Sequence, residues 1–142
     1  MNTTKGTLLT IICICLFIGT VSAQSRSSID TIKPPKVYDN VYNRPVYSDS
    51  LQSSFVIFIK KEVKLHKHVA HTEQVYVLNG AGEMTVGDKK FTVKKGDVIF
   101  IPKNTPHSLQ VMSLTPMKVL SIQAPNYDGK DKVMLGPNMD AK

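Results

Sequence analysis

Tryptophan is absent from this chain, and cysteine occurs only as Cys13 and Cys15, both inside the first apolar stretch. No disulfide framework can staple the rest of the chain, so that part must be held together by its own core. No apolar run reaches the roughly 18 residues that a membrane-spanning helix requires. Glycine and proline, at eight each in 142 residues, are too sparse for collagen or a low-complexity chain. Acidic residues are outnumbered, 11 against 18 basic ones, for a net charge of +7. That excess invites a nucleic-acid reading, but the lysines come in pairs, Lys60-Lys61, Lys89-Lys90 and Lys94-Lys95, beside short strand-like segments. Lysine there blunts exposed sheet edges, and no aromatic platform for stacked bases is interleaved with it. Nucleic acid is therefore set aside as a partner. No amphipathic helix of useful length is present either. What remains, 42% hydrophobic and 20% charged, is the composition of one compact domain.

The start of the chain reads as an address. Lys5 is followed by an apolar stretch from Leu8 to Ile18, then by Gly19-Thr20 and the small residues Val21-Ser22-Ala23. A basic start, a short apolar centre and a small-residue exit make a secretory signal peptide over residues 1–23. A secreted or periplasmic protein without a membrane anchor is the expectation, and cleavage after Ala23 removes both cysteines. Residues 24–54 are polar and carry Pro34-Pro35 and Pro45. They read as an extended N-terminal arm whose valines and tyrosines can dock as edge strands, since proline excludes a central one.

From Phe55 the texture changes. Phe55–Ile59 is an apolar run suited to a strand covered on both faces. Short β-like segments follow at Val63–His68, Glu73–Leu78, Glu83–Val86, Phe91–Val93, Val98–Ile101, His107–Met112 and Met117–Ala124, separated by glycine- and proline-bearing turns. Many short strands at close spacing predict an all-β barrel or sandwich over residues 55–125. Residues 126–142 have little apolar content and read as an appended C-terminal tail.

The chemistry concentrates in the histidines, of which there are four: His66, His68, His71 and His107. His66 and His68 are two apart, so on a strand they project from one face. Glu73 follows after a gap long enough for a bend and return. His107 comes after the proline-bounded turn Pro102–Pro106 and opens a strand. Three imidazoles and one carboxylate form a borderline N/O ligand set for Mn, Fe, Co, Ni or Zn. By strand alternation Val75, Val77, Leu109 and Val111 share the ligand face, which makes a narrow, apolar-walled pocket. Tyr76 points to the opposite face, and His71 reads as exposed. Ser121 or Gln123 turned inward would favour an enzyme.

His66-x-His68, four residues, Glu73, six residues, Gly80 resembles the first box of the cupin superfamily. Gly96, five residues, Pro102, four residues, His107 resembles the second. The first box is also locally similar to that of germin-like proteins, which are secreted manganese cupins. Two departures stand in the second box: Asn104 where glycine is usual, and Val111 where asparagine is usual. Asparagine tolerates the left-handed backbone that the turn requires. The resemblance implies a cupin-type antiparallel β-barrel, that is, a double-stranded β-helix or jelly roll. It implies one divalent metal ion (Mn, Fe, Ni or Zn) on His66, His68, Glu73 and His107, with Glu73 as candidate catalytic base. It further implies a small-molecule ligand and a homodimer. The expected activity is an oxidation, isomerisation or lyase step on a small oxygenated molecule. The alternative is a non-catalytic module that uses the metal to hold a sugar or acid. The germin-like box adds a remoter expectation, manganese-based superoxide handling.

Overall fold

The computed structural model describes residues 25–136. The expected signal segment, Met1–Ala23, lies outside them. A short 3-10 turn (Ile29–Thr31) precedes the strands β1 (Val41–Ser48), β2 (Ser53–Ile59), β3 (Glu62–His68), β4 (Thr72–Asn79), β5 (Ala81–Val86), β6 (Lys89–Lys94), β7 (Val98–Ile101), β8 (His107–Val111), β9 (Met117–Ala124) and β10 (Lys132–Met134). They form two five-stranded antiparallel sheets, ordered β1-β2-β9-β4-β7 and β10-β3-β8-β5-β6. The pairings nest: β5 with β6, β4 with β7, β3 with β8 and β2 with β9, falling alternately in one sheet and the other. One long antiparallel ribbon is thus wound on itself, the double-stranded β-helix that was expected.

The core lies between the sheets. Ile59, Val75, Val77, Met84, Val93, Ile99, Ile101, Leu109, Met117 and Val119 are buried together there, one alternate set from each contributing strand. Gly82 has a steric reason to be glycine, because a Cβ on it would lie 2.7 Å from the Gln110 carbonyl oxygen. Asn104 has φ 61°, the left-handed backbone anticipated for it. Its amide donates to the His68 carbonyl at 2.5 Å, tying the turn before β8 to the end of β3.

The arm docks as its prolines require. β1 is an edge strand, paired with β2 and irregular between Pro45 and Tyr47. Upstream, the Lys118 ammonium donates to the carbonyls of Ile29 and Ile32. Tyr38 stacks near Tyr42 and Tyr42 near Phe58, so the outer face of β2 is covered as well. Val56 and Phe58 are accordingly buried along with Phe55 and Ile59.

The tail departs from expectation. It is not an appendage: β10 extends the second sheet, with Lys132 opposite His68 and Met134 opposite His66. Backbone hydrogen bonds from Val69 to Asp131 and from Leu135 to Leu65 extend the contact on either side.

Candidate metal centre

His66 and His107 are direct partners across β3 and β8. Between Val63 and His66 the register slips by one residue, a bulge in β3 that lets both residues face inward although they are three apart. The carbonyl of Lys64, inside the bulge, lies 2.8 Å from His66 Nδ1. A carbonyl can only accept, so Nδ1 carries the proton and Nε2 keeps its lone pair. The same device recurs at His107, whose Nδ1 donates to the Thr105 carbonyl at 3.0 Å. The rings of His66 and His107 are 4.1 Å apart, and His68 lies 5.2 Å from the first and 5.5 Å from the second. One nitrogen from each of the three falls within 4.8 Å of the others.

Glu73 faces them from the opposite sheet, paired with Gln123 on β9 and Ile101 on β7. Its Oε1 accepts from Ser121 Oγ at 2.5 Å and from Gln123 Nε2 at 3.5 Å. Its Oε2 is thereby left toward the imidazoles, 3.3 Å from His107 Nε2 and 3.6 Å from His68 Nε2. All four residues expected to act together are therefore brought together. Each is buried, with His66 at 4%, His68 at 5%, Glu73 at 7% and His107 at 3% exposure.

Burial sets the protonation of the cluster. His66 is pushed down to about 3, first by burial and then by the neighbouring His107 and Lys132 charges, so it is neutral at ordinary pH. Burial likewise lowers His68. For Glu73 burial alone would raise the value, but His107, the Ser121 hydrogen bond and His68 outweigh it and bring the group to about 2. A neutral His66 and an ionised Glu73 are the protonation states in which those two residues can ligate a divalent ion. His107 Nε2 is buried with no aligned hydrogen-bond partner, as is His68 Nδ1. This donor set is able to hold a metal ion.

His71 differs from its expected exposure: it is 4% exposed. Its Nε2 donates to the Asn126 carbonyl at 2.7 Å and its Nδ1 pairs with the Asp131 carboxylate. Burial works against its charge, but those two partners prevail and raise its pKa. Asp131 also accepts from the Ala70 and His71 amides, so the pair pins the tail to the bend between β3 and β4. Its Oδ2 stands 3.5 Å from His68 Nδ1. Tyr76, as expected, faces outward, 39% exposed.

The cluster floors a cavity of about 130 Å³ whose walls include Ile57, Val75, Met84, Leu109 and Val119. Val75 and Leu109 were anticipated on this face. Ser121 and Gln123 do turn inward, and they are spent on Glu73. Tyr127 and Lys132, at the mouth, come from the tail and were missed. The only local signal for them was the short apolar run Val133-Met134-Leu135 after Gly129.

The sequence matches the family model of the cupin domain over residues 55–123. It is 34% identical over 117 residues to an uncharacterized protein of Methanocaldococcus jannaschii, spanning 78% of this chain and 94% of that one. It is 35% identical over 71 residues to mannose-1-phosphate guanylyltransferase RfbM of Salmonella typhimurium, covering 50% of this chain and 14% of that protein. Among solved structures, KdgF from Halomonas sp. shares the fold with a TM-score of 0.66 at 18% identity, over 75% of this chain and 97% of that one. With both boxes filled, the nested ribbon formed and the family model matched, the chain belongs to the cupin superfamily.

Proposed function

We propose that the protein is a secreted or periplasmic metal-dependent enzyme acting on a small oxygenated molecule. One divalent ion (Mn, Fe, Ni or Zn) would be held by His66, His68, His107 and Glu73. The observation that carries this reading is the convergence of three buried imidazoles, one nitrogen from each within 4.8 Å of the others, with Glu73 Oε2 3.3 Å from His107 Nε2. Buried polar groups need partners, and a ligated ion would supply one to these lone pairs. When bound, the ion supplies Lewis acidity or redox capacity at the cavity floor. Lys64 and Thr105 fix the ring tautomers through their carbonyls, and Ser121 with Gln123 keeps Glu73 aimed inward. Glu73 is the group assigned to move a proton. The cavity, about 130 Å³, is well below the roughly 300 Å³ at which pockets for drug-sized ligands begin, so the substrate is small. Oxidation, isomerisation and lyase steps all suit such a site. Pairing of two copies through sheet edges belongs to the same proposal, and β7 leaves Val98 and Phe100 exposed at such an edge.

A second reading, a non-catalytic binding module, is favoured by the state of Glu73. A carboxylate lowered to about 2 is a weak base. The stretch resembling RfbM is 14% of that longer protein, which suits a module with a sugar-type ligand.

The test is the metal content of the protein, expressed from the full chain without a histidine tag, beside a His66→Ala/His107→Ala variant. About one equivalent of metal, lost in the variant, supports the site. A redox metal directs attention to oxidation, and zinc or nickel to isomerase, lyase or binding roles. A folded protein that takes up no metal on reconstitution overturns the reading.

A further inference from the structure

The tail strand places a cation over the cavity. In an antiparallel pair, directly opposed residues project from the same face. Lys132 is opposite His68, and His68 points inward, 5% exposed. Lys132 therefore leans toward the cavity, and it lines that cavity together with Tyr127 and Gln123. Lysines that only deter aggregation point to solvent, whereas the outward face of this pairing is taken by Lys67 and Val133. More than a third of Lys132 stays accessible, as suits a residue at an entrance.

Among the described residues the Lys132 ammonium has neither an ion-pair partner nor a side-chain hydrogen bond. The acids near it are already committed. Asp131 pairs with His71 and accepts two amides, while Glu73 Oε1 is held by Ser121 and Gln123 and Oε2 faces the imidazoles. The Lys132 charge is nevertheless close enough to the floor to act on His66 and His68. A divalent ion held by these residues, together with the Lys132 ammonium, would outweigh the single Glu73 carboxylate, so the loaded cavity would suit an anion. Its small size and apolar walls leave room for a short acid, and no arginine fork lines it to grip a phosphate.

We infer that Lys132 is a specificity-determining residue that selects a small carboxylate ligand, binding its carboxylate at the cavity mouth while the rest of the molecule reaches the floor. This rests on the proposed metal site for the floor contact and for the net positive charge of the cavity. Recognition by Lys132 comes from the register of β10 and the shape of the cavity.

The probes are glycolate and its neutral amide, glycolamide, titrated calorimetrically into metal-reconstituted protein, with metal content measured on the same samples. Wild type is expected to bind glycolate well above glycolamide. Lys132→Met keeps the aliphatic stem and should weaken glycolate about tenfold or more, with glycolamide affinity, metal content and thermal midpoint unchanged. Lys132→Arg should restore most of the glycolate affinity. Equal glycolate binding by wild type and Lys132→Met overturns the inference, as does a wild type that binds no glycolate or does not prefer it to the amide. Failure of the metal site looks different: wild type would carry no metal, yet glycolate binding to that protein would still depend on Lys132.

Discussion

The two ends of the barrel interior are built by the same strands and could hardly differ more. Along β4 the inward residues run Glu73, Val75, Val77; along β8 they run His107, Leu109, Val111; along β9, read backwards, Gln123, Ser121, Val119, Met117. One end is thus a ring of imidazole, carboxylate, hydroxyl and amide, and the other is aliphatic. Alternation decides only which residues face inward, and position along the strand decides what they are for. The aliphatic end supplies burial at about 25 cal/mol per Å². The polar end buries groups whose desolvation opposes folding unless each finds a partner. A fold that tolerates such a ring relies on the far end for stability, which separates stability from chemistry in space.

The sharpest way to break the comparison is at the polar end. The His66→Ala/His107→Ala variant should fall from about one equivalent of bound metal to essentially none by elemental analysis. At the aliphatic end the metal is kept and stability is lost. Met117→Ala should cost about 2–5 kcal/mol, seen as a fall of roughly 10 °C or more in thermal midpoint, with metal stoichiometry kept below the transition. Between these lies Ser121→Ala, which frees Glu73 Oε1 without touching the imidazoles. Metal affinity measured by chelator competition should weaken about tenfold, with little change in the metal-free midpoint.

The smallest effect belongs to the pin outside the ring. His71 is raised from 6.5 and Asp131 lowered from 3.8. The histidine's contribution is complete below pH 6.5 and is lost as pH rises through its raised value. The aspartate's is complete above pH 3.8 and is lost as pH falls through its lowered value. Resistance of the tail to limited proteolysis should therefore be greatest between those limits and decline on either side. Asp131→Asn should flatten that profile.

Much of this was legible from residue order. The strand positions from Phe55 to Ala124 follow from alternation and turn residues; spacing put His66 and His68 on one face, and the resemblance to the two cupin boxes joined Glu73 and His107 to them. Asn104 betrayed its left-handed turn by being asparagine. The missing parts share one cause, which is that they depend on contacts distant in sequence and weak in local pattern. β10 is three residues long and all of them are exposed, with only the short run Val133-Met134-Leu135 to announce it. His71 looks like a loop histidine until Asp131, sixty residues on, is seen to close over it. The slip in β3 is equally silent, because it exists only as a mismatch with the partner strand.

The nesting of the pairs has a consequence in time. β5 and β6 are joined by the Gly87-Asp88 turn, and each outer pair then closes a loop that the inner pairs have already shortened, at a modest entropic increment. His66 meets His107 only when the third pair of the series forms. If the pairs close from the inside outward, an ion on these residues would act as a brake on unfolding and not as a seed for folding. Loading the site should lengthen the lifetime of the folded protein and leave its folding rate unchanged.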